Sequence, residues 1–209
     1  MQGIGEDLTE RTRGSSLVSM SALLKSDLLV SPEDYLNGEP VSDIRHEYVG
    51  GGVYAMAGAS NTHNIISGNI FAALHAHLED GPCVPYVSDM KVKVKSANEE
   101  MFYYPDVMVA CDPSDNAKLW REKPVLIVEV SSPETARIDA REKNWAYQTI
   151  PSLEVYVMVS QSACEVTVFR RANGWKPDII SDPGGSLVIE PLKFILPLTR
   201  LFARTGLAP

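Results

Sequence analysis

Two carboxylates and a lysine are the side chains of this sequence whose types and placement suit hydrolysis. Asp106 and Glu129 each lie beside a run of apolar residues, and Lys143 follows in a segment with helical character. Two neighbouring carboxylates repel each other, and a divalent cation between them removes that conflict and holds a water for attack. A lysine nearby can orient the water or stabilise charge on a phosphate. These residues are therefore candidates for metal-assisted hydrolysis.

Each of these residues also has a structural interpretation. A Pro-Asp pair such as Pro105-Asp106 is common in turns, and a glutamate in a strand is often part of an ion pair. Asp139 and Lys143 have the i, i+4 spacing of an ion pair on a helix surface. The residues alone leave both interpretations open.

The element that must position Glu129 is the apolar run at 125–130. Its length and its β-branched residues predict a strand that is covered on both faces. A carboxylate in such a strand is costly to bury unless another group pairs with it. Alternation along the strand puts Glu129 on the same face as Ser131. We therefore expect Glu129 to lie where the strand emerges into a crevice, the usual ligand position in an open α/β sheet.

A helix must position Lys143. A Ser-Pro start predicts that this helix runs from Pro133 to about Gln148. The spacing of Asp139, Lys143 and Tyr147 places all three on one face of it.

Caps, turns and periodicity predict the remaining elements. Ser31-Pro32 begins a short helix that ends at Gly38, the glycines at 50–52 form a hairpin turn, and a second helix covers 61–78. Strands separated by two substantial helices indicate an α/β or α+β domain with a mixed sheet. The other strands are predicted at 84–94, 104–110, 153–159, 164–170 and 187–190, and a short closing helix at 197–202.

Length and charge limit the class of protein. The 209 residues suit one domain, which we place at residues 29–205. Residues 1–28 show no helical or strand periodicity and are predicted to be a flexible leader. The net charge of −8 argues against nucleic-acid binding through bulk electrostatics, although a local basic patch could still bind DNA.

One candidate for such a patch is a stripe of three lysines. Lys91, Lys93 and Lys95 alternate with valines, and a period of two places them on one face of a strand. That face is either an ordinary solvated surface or a basic patch that faces the phosphates of DNA.

Cysteine usage and hydropathy predict a cytoplasmic, reduced protein. Cys83, Cys111 and Cys164 are an odd number without CxxC spacing, which argues against a disulfide scaffold and against a zinc site. The apolar runs are too short to cross a bilayer, and the first residues lack a compact apolar signal region. We therefore expect no membrane partner.

The histidines and tryptophans have structural interpretations at this stage. His75 and His77 lie two apart on a predicted helix and do not face each other, so they are a poor metal pair. His63 lies at a helix start beside the predicted hairpin, where both a structural and a functional role stay open. The tryptophans are interpreted as packing residues; they are Trp120, Trp145 and Trp175.

The candidate residues lie in motifs that resemble the Uma-two family, also called domain of unknown function 820, of the PD-(D/E)xK nuclease superfamily. The motifs are YPDVMV at 104–109, PVLIVEVSSP at 124–133, D-x3-K-x3-Y at 139–147 and LEVY at 153–156, with HEYVGG at 46–51 and GASNTH at 58–63 upstream. The resemblance spans roughly residues 29–202.

The resemblance implies a restriction-endonuclease-like mixed β-sheet flanked by helices, with an N-terminal hairpin and helix. It implies that Asp106 and Glu129 are ligands of magnesium or manganese, and that Glu47 adds a further acid to the site. The superfamily lysine normally lies two residues after the glutamate, where this chain has Ser131. The family commonly has a lysine at the place of Lys143, which is then the natural replacement.

Two functions follow from the resemblance. The first is a metal-dependent DNA endonuclease, for which a homodimer would suit the two cuts that a duplex requires. The second is a catalytically weakened nuclease fold that binds DNA or a protein partner. The retained Asp106, Glu129 and Lys143 favour the enzyme, whereas the acidic composition and the serine at position 131 favour the binding module.

Overall fold

Short strands alternate with a few helices along the part of the chain that this computed structural model describes, residues 29–96, 99–131 and 139–207. The strands are β1 (His46–Val49), β2 (Gly52–Ala55), β3 (Val84–Val87), β4 (Lys91–Lys95), β5 (Glu100–Tyr103), β6 (Val107–Ala110), β7 (Trp120–Arg121), β8 (Pro124–Ser131), β9 (Val155–Ser160), β10 (Val166–Arg170), β11 (Pro177–Ile180), β12 (Ser186–Ile189) and β13 (Phe194–Pro197). The helices are α1 (Pro32–Gly38), α2 (Asn61–His77), α3 (Asp139–Gln148) and α4 (Leu198–Leu201).

The strands form two large sheets and a small one. One large sheet has the order β2-β1-β5-β4-β7, the other the order β11-β10-β9-β8-β6-β3, and β12 pairs with β13. In the six-stranded sheet β8 pairs antiparallel with β6 and parallel with β9, so this sheet is mixed. The observed architecture, a mixed sheet with flanking helices and an N-terminal helix and hairpin, agrees with the predicted fold class.

Strand β8 is covered on both faces, as its composition predicts. Leu126 and Val128 belong to a buried cluster with Ile66 of α2. Ile127, on the opposite face, belongs to a second buried cluster with Tyr147 of α3. Burial of each aliphatic side chain contributes roughly 1.5–3 kcal/mol relative to exposure. The strand that carries Glu129 is therefore anchored from both sides.

Serine caps begin the first two helices where the sequence predicts them. The Ser31 hydroxyl oxygen accepts a hydrogen bond from the Asp34 amide at 3.1 Å. The Ser60 hydroxyl oxygen accepts one from the His63 amide at 3.1 Å. Each cap satisfies an amide that has no partner within its helix. The cap on α2 also fixes the place of His63 at the start of that helix.

The hairpin of β1 and β2 turns at two glycines with positive φ. Gly50 has a φ of 52° and Gly51 a φ of 96°, which glycine adopts without a Cβ clash. The register pairs Glu47 with Tyr54, so the hairpin prediction is confirmed.

The predicted strand at 104–110 is wrong at its start. β5 ends at Tyr103 and β6 begins at Val107, and these strands belong to different sheets. Pro105 has no amide hydrogen to donate to a ladder, and the chain changes sheet there. Asp106 therefore lies in the connection between the sheets rather than inside a strand.

Other boundaries differ for related reasons. The predicted extended segment at 84–94 is divided into β3 and β4, with Ser88 at a φ of 46° between them. Strands β5, β7, β11 and β13 have no counterpart in the sequence prediction. They are short, and their pairing rather than their composition defines them.

The prediction of a fully reduced protein is wrong. Cys83 and Cys111 form a disulfide, and Cys164 is free and half-buried. The register pairs Val84 of β3 with Ala110 of β6, so the two cysteines flank neighbouring ends of paired strands. An odd number of cysteines leaves room for one such pair, which the spacing along the chain does not reveal.

All three lysines of the stripe contact aromatic rings or carboxylates, and of the three only Lys95 is exposed. Lys91 is buried, with a relative exposure of 3%, and its ammonium lies over tyrosine rings. The Lys93 ammonium lies 2.8 Å from Glu100, and the Lys95 ammonium 3.2 Å from Glu122. The three lysines do share one face, but aromatic rings and carboxylates already occupy it. This finding corrects the prediction of a phosphate-facing patch.

Two tryptophans and one histidine complete the comparison. Trp145 has a relative exposure of 63%, so the packing interpretation is wrong for this residue. Trp120 packs edge-on against Phe102, with 5.8 Å between the ring centroids. A ring nitrogen of His77 lies 2.9 Å from the Leu192 carbonyl oxygen, in agreement with a structural role.

Two predicted segments fall outside the described residues: the leader at 1–28 and the first turns of the predicted helix at 133–138. Within the described ranges, no helix combines the length and the apolar character that a bilayer crossing requires.

Candidate active site

The Lys143 ammonium lies between two carboxylates that different elements supply. It is 2.6 Å from Glu47 Oε1, on β1 of the five-stranded sheet, and 3.7 Å from Glu129 Oε1, on β8 of the six-stranded sheet. The side chains of these three residues keep 14–17% of their surface exposed, so the cluster is accessible from one side. Helix α3 thus brings a cation to the place where the two sheets meet.

Asp106 joins this group through the backbone of β8. Its Oδ2 accepts a hydrogen bond from the Val130 amide at 2.7 Å. Val130 directly follows Glu129, so the hydrogen bond places the Asp106 carboxylate beside the residue that carries the second acid. We define the acidic cluster as Glu47, Asp106 and Glu129.

Glu129 has a perturbed environment. Burial, helped by the charges of Asp106 and Glu47, raises the pKa of its carboxyl to about 7, even though Lys143 and a hydrogen bond from Tyr147 oppose the rise. The Tyr147 hydroxyl donates to Glu129 Oε1 at 2.7 Å. The acidic cluster therefore holds more negative charge than its single lysine compensates.

Lys143 stays charged in spite of its burial. Burial lowers the pKa of its ammonium, but the Glu129 and Glu47 carboxylates outweigh this effect and hold the pKa above its ordinary value. The ammonium also lies over the Tyr103 ring, 5.6 Å from its centroid. These contacts give the cation a fixed direction, which an exposed lysine does not have.

His63 belongs to the same site, although sequence reasoning left its role open. Its Nε2 lies 3.2 Å from Asp106 Oδ2, and its Nδ1 is buried without a hydrogen-bond partner among the described residues. The hydrogen bond to Asp106 raises the pKa of the imidazole, against the effect of burial. The sequence signal that points to it is the Ser60 cap, which fixes His63 at the first turn of α2.

The donor set fits a hard divalent cation. Asp106 and Glu129 offer carboxylate oxygens, and the charge of Asp106 adds to the effect of burial in raising the pKa of Glu129. A bound cation would offset that repulsion. In the described ranges, no three His, Cys, Asp or Glu side chains form a preformed metal cage. Magnesium does not need one, because one or two carboxylates commonly hold it together with waters and substrate phosphates.

Comparison with known proteins extends these observations. A family model described as "Putative restriction endonuclease", Uma2, matches residues 32–199. The chain belongs to the Uma2 family. It is 36% identical over 143 residues to the uncharacterized protein slr1290 of Synechocystis sp., a match that covers 68% of this chain and 74% of the relative. It is 31% identical over 146 residues to the uncharacterized protein sll1609 of the same organism, over 68% of this chain and 81% of the relative.

A solved structure shares the fold. The crystal structure of a "putative nuclease belonging to DUF820" from Anabaena variabilis superposes with a TM-score of 0.65 at 11% identity. The match covers 78% of this chain and 93% of the other. At this level of identity the likeness concerns the fold alone, and it agrees with the restriction-endonuclease-like architecture of the Uma2 chain.

The structure brings together the four site residues that the resemblance named for this Uma2 chain, in that Lys143 contacts Glu47 and Glu129 while Asp106 bonds to the backbone beside Glu129. Their catalytic and metal-binding roles stay predictions. The side chain of Asp139 lies outside the described residues. Tyr147, which the sequence placed on the Lys143 face of the helix, contacts Glu129 directly.

Proposed function

We propose that this Uma2 protein is a metal-dependent DNA endonuclease that hydrolyses phosphodiester bonds as PD-(D/E)xK enzymes do. The observation that carries the proposal is the Lys143 ammonium between Glu47 and Glu129, with Asp106 bonded to the backbone of the same strand. The description of the family supports the same class of activity, and the solved structure from Anabaena variabilis shares the fold.

Each residue has a role in this proposal. Asp106 and Glu129 would hold Mg²⁺ or Mn²⁺, which would neutralise charge on the scissile phosphate and lower the pKa of a bound water. Lys143 keeps a charged ammonium in a fixed direction, ready to stabilise the charge that grows on the phosphate. Glu47 would position Lys143, because its Oε1 lies 2.6 Å from the Lys143 Nζ.

The test is a cleavage assay joined to a binding assay. The purified protein is incubated with plasmid and with single-stranded DNA, in Mg²⁺, in Mn²⁺ and in EDTA. We expect metal-dependent cleavage and a rise of the melting temperature with metal, since a ligand that binds only the folded state stabilises it. Both effects should disappear in Glu129→Ala.

The matched control is Glu33→Ala, which removes an exposed glutamate of α1. This variant should cleave and bind metal as the parent does. If the parent cleaves no substrate under any condition, the endonuclease proposal is overturned.

A second candidate is the same fold without catalysis, as a module that binds DNA or a protein partner. The observation that favours it is the half-buried Ser131 at the position of the superfamily lysine. A parent protein that binds metal or DNA but does not cleave would support this candidate. A homodimer remains part of the first proposal, and light scattering of the purified protein tests it.

A further inference from the structure

Glu39 is a buried carboxylate outside the acidic cluster. It begins a single 3-10 turn, Glu39–Val41, directly after α1, and its relative exposure is 4%. A carboxylate in such a place is costly to bury unless several donors satisfy it. The hydrogen-bond partners of Glu39 therefore indicate its structural role.

Three donors converge on the Glu39 carboxylate. The His46 amide donates to Oε1 at 2.8 Å, and the His46 ring nitrogen Nδ1 lies 3.1 Å from Oε2. The Tyr104 hydroxyl donates to Oε1 at 3.0 Å. Glu39 thus connects two segments that are 58 residues apart in the sequence, at positions 46 and 104.

Both segments continue directly into the acidic cluster. Glu47 follows His46 in β1, and Asp106 lies two residues after Tyr104, across Pro105 with its restricted φ. The backbone amide of Tyr104 donates to Glu47 Oε1 at 3.4 Å, which closes a ring of contacts from Glu39 through both segments.

Two further contacts hold this ring in place. The Tyr35 hydroxyl of α1 donates to the His46 carbonyl oxygen at 2.6 Å, so His46 is fixed at its amide, its carbonyl and its ring. The Lys91 ammonium lies over the Tyr104 ring, 4.9 Å from its centroid, and it is buried there. Lys91, which the sequence suggests as a phosphate ligand, thus faces the aromatic ring of Tyr104, whose hydroxyl binds Glu39.

We propose that Glu39 is a positioning residue that sets the distance between Glu47 and Asp106 by holding His46 and Tyr104 together. This role rests on the proposed nuclease function for its catalytic consequence, but its geometry is independent of that function. Glu39 touches neither Lys143 nor the place where a substrate would bind. Its effect passes through the two backbone segments.

The kinetic test compares tyrosine and glutamate variants. Tyr104→Phe removes one donor to Glu39, and Tyr48→Phe is the matched control, because the Tyr48 hydroxyl donates to the Val30 carbonyl oxygen and not to Glu39. We expect Tyr104→Phe and Glu39→Ala to lower kcat by about tenfold to a hundredfold, the usual effect of displaced reacting groups, with KM within a factor of about three. Glu39→Gln can keep the one oxygen to which the His46 amide and the Tyr104 hydroxyl both donate, so it should recover most of the rate.

A second readout does not need activity. The Lys143 ammonium lies between Glu47 and Glu129, which protects its protons from exchange with water. We expect its ¹H–¹⁵N correlation to be visible at low temperature in the parent and in Tyr48→Phe. In Glu39→Ala the displaced Glu47 carboxylate should shift or broaden this signal, whereas Glu39→Gln should restore it. Lys143→Arg assigns the signal.

The outcomes separate this proposal from the proposed function. If the parent does not cleave DNA but the Lys143 signal responds to Glu39→Ala as stated, the endonuclease proposal fails and the positioning role stands. If the Lys143 signal is the same in Glu39→Ala and in the parent, the positioning role is overturned. It is also overturned if Tyr48→Phe lowers kcat as much as Tyr104→Phe does.

Discussion

At the residue scale, the candidate site is an excess of negative charge held around one permanent cation. Glu47, Asp106 and Glu129 face a single lysine, and His63 adds a second positive charge only when it is protonated. The pKa of Glu129 rises to about 7, with burial as its largest cause and the charges of Asp106 and Glu47 adding to it. A group that is unfavourable for stability and accessible from one side is typical of a functional site.

Lys143→Ala should separate catalysis from metal binding. If the ammonium acts on the transition state, its loss should lower the cleavage rate on the order of a hundredfold or more, while the affinity for Mn²⁺ changes much less. Asp106→Ala and Glu129→Ala should remove both. Rates on plasmid DNA and Mn²⁺ titrations followed by electron paramagnetic resonance provide the two measurements.

The control for this prediction is Lys123→Ala, which breaks an exposed ion pair with Asp112 at 2.7 Å. It should leave the rate unchanged. Parent-like cleavage by Lys143→Ala would mean that the lysine only compensates the charge of its acidic neighbours.

Glu129→Gln should make the metal-free protein more stable and inactive. The pKa of Glu129 rises from 4.5 to about 7 on folding, so the folded state favours the protonated carboxyl. This contribution to stability is complete below about pH 4.5 and is lost as the pH rises through about 7. The advantage of the variant over the parent should therefore grow across that interval, to about 1–3 kcal/mol.

Urea unfolding in EDTA at several pH values measures this difference. Glu33→Gln, on the exposed side of α1, is the matched control for this measurement. A stability difference between Glu129→Gln and the parent that stays constant from pH 4.5 to 8 would contradict the assigned cause.

At the element scale, a strand supplies the acid and a helix supplies the lysine. Ser131 follows Glu129 by two residues on the same face of β8, where the superfamily lysine would stand, and α3 brings Lys143 to the acid from a different direction. A lysine at position 131 could therefore replace Lys143 only if β8 and α3 direct these two positions toward the same carboxylates.

The double change Ser131→Lys with Lys143→Ala tests that convergence. If the two positions reach the same spot, the double variant should recover part of the rate that Lys143→Ala loses. The comparison requires the same cleavage assay and matched melting temperatures. No recovery in a stable double variant would show that the helix positions the ammonium in a way that the strand does not reproduce.

A second prediction at this scale concerns the disulfide between the ends of β3 and β6. Cys83 and Cys111 enclose a loop with a sequence separation of 28, for which the loss of the bond costs about 2–4 kcal/mol. Cys83→Ser with Cys111→Ser should lower the free energy of unfolding by that amount. Thiol titration of the unfolded, oxidised parent should detect Cys164 alone.

The control for this change is Cys164→Ser, which leaves the disulfide intact and should change stability less. If the unfolded parent, purified without reductant, titrates three thiols, the disulfide prediction fails.

At the scale of the whole molecule, the buried core of the part of the chain that the structure describes extends from Tyr35 to Phe202. The three sheets, the acidic cluster and helices α2 to α4 lie within that interval, and α1 begins just before it, at Pro32. Deletion of residues 1–28 should therefore leave the melting temperature and the cooperativity of unfolding nearly unchanged, as calorimetry measures. A broad transition or a large loss of melting temperature in the truncated protein would refute the assignment of these residues as a leader.

Much of the local structure follows from signals a few residues long. The serine caps of α1 and α2, the glycine turn of the first hairpin and the apolar run of β8 each define an element by itself. The motifs that resemble the Uma2 family also indicate the four candidate residues and the fold class. Short-range patterns of this kind reflect hydrogen bonds and alternation within one element, so the sequence alone determines them.

The tertiary structure decided which side chains meet. The contact of Lys143 with Glu47 joins residues that are 96 apart in the sequence, and that of Val130 with Asp106 joins residues 24 apart. The pairing of Cys83 with Cys111 and the burial of Lys91 likewise depend on which strands become neighbours. No local pattern encodes such distances, because strand pairing and helix packing across the whole chain set them. The same packing brings Glu39 to His46 and Tyr104.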